Sequence, residues 1–570
     1  MHRCTPKHRF APAGAALMLA ALVLGACGPS DDTTQAERMR LLLGDAAEPA
    51  ELATGDTLHV SAATRAFYEE RGYEPAWTTE EAVNEEGEKL LQVIAAAVTD
   101  GLNTDPYRPD LAREITVALE EGDLDDVAKR RHTVSLDLLL TEGFNRYAND
   151  LAQGTVDPSE AGLDWRIPRE RAAEEGLLAR LIGGEDPAQV IQDVRPRNHQ
   201  YGHLRDALAS LRQVEARGGW APLPGDLRVE AGDSGQAVAL LRQRFMEGAD
   251  STEARLAAQG QARPHLFDDG LVAALEHFQA RHALADDGKL GEGTIRELNH
   301  TVEERIAELK LNLDRWRWLP HDLGEKYVLV NVAGFELEVI ENGRPIEQMN
   351  VVVGKSNWKT PIFADTMEHM VVNPYWNVPL SIKKDEIIPA AMRDPGYLAR
   401  NNFEVVDGGG RAVSLAGVTP ASLERYNVRQ KPGPGNALGR FKFLFPNKDN
   451  IYLHDTPAGH LFARTRRDFS HGCIRIERPD DMAKLVMERY AQRDPDGIAA
   501  MLASGKEQWV PLKEKIPVYI LYFTTWAEED GTVRFHHDVY GRDEQLQPLA
   551  ERQMAEATRP DTEAGELAAR

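Results

Sequence analysis

The sequence predicts an α+β multidomain protein, and three features along the chain support this fold class. From about residue 36 to 215, apolar residues recur at three- and four-residue steps, the period of amphipathic helices. Residues 227–300 contain three more amphipathic stretches, separated by turns rich in Gly and Asp. From Lys326 the apolar period changes to two, which is typical of strands. The 570 residues suffice for several domains of about 150 residues each.

Residues 1–26 predict a lipoprotein signal peptide. A basic start precedes the apolar run "AGAALMLAALVLG", and the sequence Leu24-Gly25-Ala26-Cys27 that ends it resembles a bacterial lipobox. We therefore expect Cys27 to be lipidated and to anchor the protein to a membrane facing the periplasm, with Gly28 favouring the outer membrane. The alternative is an ordinary signal peptide in which Cys27 has no role. Residues 27–40 are polar and predict a linker.

The chain is acidic, with a formal net charge of −25. Removal of the three basic residues of the leader brings the charge to about −28 by simple counting. Binding to nucleic acid requires clustered Lys and Arg that neutralise phosphates, so this composition argues against a nucleic-acid-binding protein.

The helical period predicts a scaffold domain over residues 41–220, and "GGWAPLPGD" at residues 218–226 marks its boundary. The next unit, 221–300, begins with a helix capped by Asp233-Ser234. Its segments "GDSGQAVALLRQRF", "HFQARHAL" and "DDGKLGEGTIRELN" resemble the three-helix peptidoglycan-binding domain of cell-wall enzymes. The spacer between the first two is longer than is usual in that domain.

Residues 301–545 predict the β-rich domain. Thr301 and Glu304 form a capping-box pattern for its first helix, and Trp316 and Trp318 are expected to pack against the strands that follow. Strand patterns continue through "IYLHDTP", "CIRI" and "VYILYF". The mixed segment of about residues 380–437 predicts a binding loop or lid. The tail from 546 to 570 is polar and is predicted to be disordered.

The segment "DFSHGCIRI" contains Cys473, which is the single thiol outside the leader and its lipobox. His471 lies two residues before it, and His454 ends the predicted strand "IYLH". Neighbouring strand ends would bring an imidazole close to the thiol, lower its pKa and raise the thiolate fraction. Gly472 permits a tight turn, and backbone N–H groups of this loop would stabilise an oxyanion by about 3 kcal/mol per donor.

Two other interpretations of these residues remain open. His454, Asp455, His460 and Cys473 include zinc-ligand types, although their spacing fits no common zinc pattern and a second cysteine is missing. A buried structural contact between a histidine and a cysteine is the other alternative. We expect no metal and no organic cofactor.

The string from His454 to Ser470-His471-Gly472-Cys473-Ile474-Arg475 resembles the active-site motif of the L,D-transpeptidases, which have a YkuD-type catalytic domain. The resemblance extends over about residues 325–545, with "YVLVNV", "VVVGK", "KTP", "FPN", "IYLHDTP" and "SHGCIRI" in the order typical of the family. Together with the two preceding units, the architecture is similar to the larger, YcbB-like members. Arg475 stands where the family often has Asn.

The resemblance implies a reaction and a role for each matching residue. Cys473 would attack the L,D peptide bond of a peptidoglycan tetrapeptide stem, with His454 as the general base and the Asp455 carbonyl orienting its ring. His471, Gly472 and Cys473 would line the oxyanion hole, and Ser470 and Arg475 the pocket. The amine of a second stem would resolve the thioester and form a 3→3 cross-link in cell-wall biogenesis. Cell-wall synthases are the protein partners expected.

Several rival functions are left open. The same thioester resolved by water gives an L,D-carboxypeptidase, and its resolution by a lysine of a lipoprotein attaches that protein to the wall. A non-enzymatic peptidoglycan-binding lipoprotein belongs to a different class, as does a general cysteine protease. Carbapenems acylate the catalytic cysteine of the family, so an adduct on the intact protein would separate an enzyme from a binding protein.

Overall fold

A computed structural model describes residues 33–44, 48–169, 174–248, 251–260, 262–528 and 530–558. The predicted signal peptide and the lipidation site Cys27 lie outside these residues. Within the described residues, no helix combines the length and the apolarity that a membrane crossing requires.

The N-terminal unit is an assembly of helices around one long central helix. Its elements are α1 (Gln35–Leu43), β1 (Ala50–Glu51), β2 (Thr57–Leu58), α2 (Ala62–Glu70), α3 (Glu85–Ala95), α4 (Pro109–Glu121), α5 (Asp126–Gln153), α6 (Glu174–Ile182), α7 (Pro187–Val194) and α8 (His199–Ala216). Helix α5 begins at Asp125, whose side chain accepts a hydrogen bond from the N–H of Ala128. Apolar residues on several of its faces, including Leu136 and Leu139, are buried because other helices surround it. The helical N-terminal region predicted from the sequence is confirmed.

The second unit is a small helical bundle with its own core. It consists of α9 (Gln236–Met246), α10 (Thr252–Ala258), α11 (Asp269–Arg281) and α12 (Glu292–Leu298). Leu241, Phe245 and Leu275 belong to this core. The prediction of three helices misses α10, which forms within the long spacer because Ser251 caps it and Ala257 is fully buried. Peptidoglycan binding by this unit stays a prediction.

The third unit contains a large sheet flanked by helices. Its elements are α13 (Val302–Arg317), β3 (Lys326–Asn331), β4 (Glu336–Glu341), β5 (Arg344–Gly354), β6 (Phe363–Val372), β7 (Trp376–Asn377), α14 (Leu380–Ile382), α15 (Ile388–Arg393), α16 (Tyr397–Arg400), β8 (Phe403–Val406), β9 (Ala412–Val413), β10 (Asn427–Gln430), β11 (Phe441–Leu444), β12 (Leu453–His454), β13 (Asp468–Ser470), β14 (Ile474–Ile476), α17 (Pro479–Leu485), α18 (Gly497–Ala503), β15 (Gln508–Leu521), β16 (Thr525–Ala527), β17 (Val533–Phe535) and α19 (Arg542–Thr558). The β-rich C-terminal region predicted from the sequence is confirmed.

The main sheet has nine strands in the order β13-β5-β14-β12-β11-β6-β15-β3-β4. Strand β5 also pairs with β4, so the sheet closes on itself. Most neighbours are antiparallel, but β12 and β14 are parallel although they are short and close in sequence. The connection between them returns the chain to the same end of the sheet, so the residues at their ends become neighbours.

The insertion predicted at about residues 380–437 is a folded subdomain. A separate sheet with the order β7-β10-β8-β9 covers its own apolar core, in which Val405, Leu423 and Val428 are buried. A π-helical turn, Lys383–Ile387, precedes α15. The role of this insertion as a lid stays a prediction.

Helix α13 lies between the N-terminal unit and the sheet. The predicted capping box of Thr301 and Glu304 is present at its start. Trp316 stacks on Phe523 with ring centroids 4.4 Å apart, which is the expected packing against the following domain. Trp318 instead meets Trp165 of the N-terminal unit edge-on at 5.3 Å. The aromatic residues of α13 therefore join two units.

The prediction of disorder from residue 546 is wrong up to Thr558, because α19 continues to that residue. Leu546 is fully buried and shares an apolar cluster with Trp318 and Val156. The polar composition of this segment obscured the narrow apolar face of α19, which packs onto the aromatic end of α13. Residues 559–570 lie outside the described residues.

Substitution Leu546→Ala is expected to lower the free energy of unfolding of the third unit by about 2–5 kcal/mol, since it leaves a cavity in this cluster. Denaturant unfolding followed by tryptophan fluorescence would measure the loss. The exposed neighbour Gln545 provides the matched control, and Gln545→Ala should change stability little. Equal stability of the Leu546→Ala variant and the native chain would contradict the packed helix.

Candidate active site

The parallel pairing of β12 with β14 brings the predicted catalytic residues onto one face of the sheet. Leu453 is in register with Ile474, and His454 is in register with Arg475. Residues in register, and residues two apart on one strand, point to the same face. Cys473 precedes Arg475 by two positions, so its side chain lies on the face that carries His454.

Cys473 is half-buried. Its sulfur lies 3.7 Å from the carbonyl oxygen of Asn450. Burial raises the pKa of the Cys473 thiol, and hydrogen bonds from the backbone and the side chain of Tyr452 oppose this shift. Within the described chain, no hydrogen bond joins the sulfur to His454. The expected lowering of the Cys473 pKa by an imidazole is not seen, because the effect of burial is the largest and the main opposing hydrogen bonds come from Tyr452.

His454 is buried, and its tautomer is fixed by one contact. Its Nδ1 lies 2.5 Å from the carbonyl oxygen of Asp455, and a carbonyl oxygen only accepts hydrogen bonds. Nδ1 therefore carries the proton, and Nε2 keeps a free lone pair. Burial, and then the charge of Arg475, lowers the pKa of His454 to about 3. The ring is neutral at physiological pH and retains the nitrogen that a general base requires.

The side chain of Asp455 fixes the position of this carbonyl. Its carboxylate accepts hydrogen bonds from the backbone N–H groups of Arg440, at 2.7 Å, and Thr456, at 2.6 Å. A Cβ at Gly439 would lie 2.2 Å from Cγ of Asp455, so glycine is required for this close approach. The Asp455 carbonyl thus lies where the orienting role inferred from the sequence would need it.

Tyr452 and Lys442 belong to the same face and were missed by the sequence analysis. Lys442 pairs with His454 across β11 and β12, and its Nζ lies 3.8 Å from the centre of the Tyr452 ring. The rings of Tyr452 and His454 are 5.6 Å apart. The alternation in "IYLH" was a usable signal, because it places Tyr452 and His454 on one side of a strand.

The loop before Cys473 is held by its own hydrogen bonds. Gly472 adopts φ of 109°, a conformation that favours glycine. Its N–H donates to Oγ of Ser470 at 3.0 Å, and this hydroxyl donates to the carbonyl oxygen of Cys473 at 2.6 Å. The Ser470 hydroxyl thus already accepts the Gly472 N–H, and the contribution of this N–H to an oxyanion hole stays a prediction. None of the described hydrogen bonds uses the N–H of Cys473, which remains the candidate donor.

Thr360 and Tyr540 brace this loop against β5. Oγ1 of Thr360 donates to the carbonyl oxygen of Gly472 at 2.8 Å and accepts from the N–H of Gly354 at 2.9 Å. The Tyr540 hydroxyl donates to the carbonyl oxygen of Gly354 at 2.5 Å. Thr360 lies in the quoted motif "KTP", whereas no sequence signal linked Tyr540 to a loop so distant along the chain.

His471 is directed away from the thiol. Its Nε2 lies 2.8 Å from Glu386 of the insertion, and its ring meets Trp358 edge-on at 5.3 Å. The structure therefore brings Cys473 and His454 to one face and uses the His471 side chain in a contact with the insertion.

Arg475 contributes a partly buried positive charge beside the thiol. Burial lowers the pKa of Arg475, and the nearby Cys473 opposes this shift. Its Nε is buried and has no hydrogen-bond partner among the described residues. Among the same residues, no group of three or more His, Cys, Asp or Glu side chains could hold a metal ion.

Comparisons with known proteins find similar domains and relatives. Residues 325–495 match the YkuD family model, described as the L,D-transpeptidase catalytic domain, and residues 62–208 match a model described as a scaffold domain. A Haemophilus influenzae protein whose name assigns it to the L,D-transpeptidases is 32% identical over 272 residues. This match covers 46% of the present chain and 55% of the relative, so the chain spans about half of that protein.

Solved L,D-transpeptidase structures are also similar to the chain. The enzyme from Stackebrandtia nassauensis is 13% identical, with coverage of 52% of this chain and 95% of that chain and a TM-score of 0.19. The domain from Xylanimonas cellulosilytica is 13% identical, with coverage of 52% and 99% and a TM-score of 0.16.

Substitution Tyr452→Phe is expected to raise the pKa of Cys473, because it removes the phenol hydrogen bond that opposes the effect of burial. The pH midpoint for alkylation of Cys473 by iodoacetamide should rise by about one unit, the value of a hydrogen bond to a charged group. Mass mapping of the Cys473 peptide would follow the reaction. Tyr490→Phe, which removes only a contact with Glu341, is the control. An unchanged midpoint in Tyr452→Phe would refute the role of the phenol.

The native state is expected to lose stability in acid partly through His454. Below pH 6.5 the unfolded chain protonates this imidazole, but the native state does so only near pH 3, because its pKa is lowered to about 3. The free energy of unfolding should fall by about 1.4 kcal/mol per pH unit over this interval. His454→Asn should make the acid dependence shallower in denaturant titrations, whereas substitution of the exposed His460 by Asn should leave it unchanged. An identical slope for His454→Asn and the native chain would contradict the assignment.

Proposed function

We propose that this protein is an L,D-transpeptidase that forms 3→3 cross-links in peptidoglycan through a thioester on Cys473. The observation that carries the proposal is the shared sheet face of a half-buried cysteine and a neutral imidazole whose Nε2 is free. The match of residues 325–495 to the L,D-transpeptidase catalytic domain supports the same conclusion.

The resting pair is neutral, so the reaction begins with a proton transfer. When a donor stem arrives, His454 Nε2 accepts the proton of the Cys473 thiol, and the sulfur attacks the carbonyl carbon between the diamino acid and the terminal D-Ala. The carbon–nitrogen bond then breaks, and His454 returns the proton to the departing amine of D-Ala. The sulfur remains acylated as a thioester.

A second stem completes the cycle. Its side-chain amine attacks the thioester carbonyl and gives a proton to His454, and the thiol is restored when the carbon–sulfur bond breaks. The N–H of Cys473 is the proposed oxyanion donor, because the N–H of Gly472 is bonded to Ser470. Arg475 is proposed to bind a carboxylate of the stem, which its unpartnered nitrogen and its position beside the thiol favour.

The insertion is proposed to act as a lid over the donor site. The insertion contacts the loop through Glu386, whose carboxylate lies 2.8 Å from Nε2 of His471, two positions before Cys473. A loop that closes over a reaction site excludes water, which here would favour transfer to an amine over hydrolysis.

The cellular setting is also a proposal. A lipid on Cys27 would hold the enzyme at a membrane facing the periplasm, and the support for this is the lipobox sequence. The small helical unit at 221–300 is proposed to bind peptidoglycan, on the strength of its sequence resemblance. Cell-wall synthases are the proposed protein partners.

Substitution Cys473→Ala is expected to abolish 3→3 dimer formation from purified tetrapeptide muropeptides, since the acyl group would have no nucleophile to carry it. Chromatography and mass spectrometry of the products would measure this loss. The native chain should also gain a mass adduct after carbapenem treatment, and Cys473→Ala should not. Cross-linking by the Cys473→Ala variant would refute the mechanism.

The same assay identifies the acceptor. Formation of tripeptide without dimer would assign the chain as an L,D-carboxypeptidase, and transfer to a lipoprotein lysine would assign a role in protein attachment. The absence of both turnover and an adduct would leave a peptidoglycan-binding protein without enzymatic activity.

A further inference from the structure

A cavity lies at the junction of the helical units and the β-rich unit. None of the residues of the candidate active site lines it. We call it the junction cavity. It has a volume of about 370 Å³ and lies between α8, the small bundle α9–α12, helix α13 and the hairpin β16–β17. This is within the range of small-ligand sites and would hold two or three amino-acid residues.

Arg244 of α9 lines this cavity, and its charge has no carboxylate partner. The side chain is 7% exposed. Its Nε donates to the carbonyl oxygen of Leu298 at 3.0 Å, and its guanidinium lies over the ring of Trp220 at 4.1 Å. Within the described chain, no acidic side chain forms an ion pair with it. Burial lowers the pKa of Arg244 to about 9, a sign of how little its charge is compensated.

The nearest acidic group is engaged elsewhere. Glu247 attracts the Arg244 charge from a distance. Its two carboxylate oxygens accept hydrogen bonds from the side chain of Gln243, at 2.9 Å, and from the N–H of Ala221, at 3.1 Å. Among the described residues, no hydrogen bond joins an Nη atom of Arg244 to a protein acceptor, and Arg244 lines the cavity.

Two other arginines of the cavity, the half-buried Arg281 and the buried Arg305, are already paired. Arg281 forms an ion pair with Glu253. Arg305 pairs with Glu297 at 2.6 Å and with Glu308 at 2.8 Å. Arg255 is exposed at the rim of the cavity. Asp530 of the β16–β17 hairpin accepts a hydrogen bond from the N–H of Thr532 in its own turn. Arg244 is thus the buried cation with capacity for a further anion.

The remaining wall is aromatic and uncharged. The ring of His282 stacks between Phe278, at 3.8 Å, and Phe535, at 5.3 Å. Burial lowers the pKa of His282 well below its ordinary value, so the ring is neutral. An apolar or ring-shaped body can pack on these faces while a single acidic group reaches the guanidinium.

We propose that the junction cavity binds the carboxylate of a short peptide, with Arg244 as its ion-pair partner. One uncompensated positive charge matches the single negative charge of a carboxylate, whereas a phosphate dianion would add unbalanced charge beside the acidic Glu253, Glu297 and Asp530. The fork of the guanidinium suits the two oxygens of a carboxylate. The assignment of this peptide to a peptidoglycan stem rests on the proposed function, but the carboxylate site does not.

The site has a consequence for substrate handling. Residues from α8, α9 and α13 and from the β16–β17 hairpin line one cavity, so a bound peptide would contact the helical units and the third unit together. A peptidoglycan stem held there would attach its glycan strand to the enzyme at a second point, apart from the donor stem at Cys473. The cavity would then select peptides with a free carboxylate and discriminate against amidated ones.

The test uses the full chain carrying Cys473→Ala and the dipeptide alanyl-γ-D-glutamate as the probe. This dipeptide has carboxylates but neither the diamino acid nor the terminal D-Ala, so it is neither donor nor acceptor in the cross-linking reaction. Calorimetric titration should show binding that is weakened about tenfold or more by Arg244→Gln, since loss of a buried charge partner costs at least that factor. The exposed Arg296 lies in the same bundle, and Arg296→Gln should bind as the parent does.

Ligand and variant controls separate the outcomes. The diamide of the dipeptide should not bind, and Arg244→Lys should bind with intermediate affinity because it keeps the charge but loses the fork. Thermal unfolding of Arg244→Gln should occur at or above the parent temperature, because the uncompensated charge is removed. Should Arg244→Gln unfold, Arg244→Lys and the diamide still decide the question.

Any one of three results would overturn the proposal. These are equal affinity of Arg244→Gln and the parent for the dipeptide, binding of the diamide, and no binding of the dipeptide up to about 10 mM, a concentration well above the dissociation constant of a typical site. Arg244-dependent binding of inorganic phosphate without binding of the dipeptide would overturn it in favour of a phosphate site. Failure of the proposed enzymatic function would leave Arg244-dependent binding intact. Failure of the junction cavity would leave the carbapenem adduct on Cys473 intact, so the two proposals are tested separately.

Discussion

The parallel pairing of β12 with β14 is the constraint on which the candidate site depends. It sets His454 opposite Arg475, and the two-residue period of the strands then places Cys473 and Tyr452 on that same face. A slip of one residue would turn the nucleophile to the other side of the sheet. The surrounding hydrogen bonds, from Thr360 to the loop and from the His454 imidazole to the carbonyl oxygen of Asp455, hold these groups in place.

Burial shapes the chemistry of this face as strongly as proximity does. The low dielectric keeps both partners uncharged, because it raises the pKa of Cys473 and lowers that of His454. Desolvation also acts on Arg244 in the junction cavity. A buried guanidinium without an acidic partner is energetically unfavourable, and an anionic ligand would relieve this cost.

Much of the fold could be predicted from the sequence because the hydrophobic period reports burial directly. The change of period at Lys326 located the sheet, and the cap at Thr301 located the start of α13. The tail was misjudged because α19 buries only a narrow apolar stripe, with Leu546 at its centre. Helix α10 was missed because a short helix within a spacer has too few turns for its period to be distinct.

For the site, the sequence alone determined the reactive residue types: a lone thiol, an imidazole at a strand end and a glycine between them, since local motifs record such chemistry. The tertiary structure decided which groups meet. It gave Tyr452 the contact with the thiol, turned His471 toward Glu386 and committed the N–H of Gly472 to Ser470. These outcomes depend on desolvation and on contacts between segments far apart in the chain, and no local pattern encodes either of them.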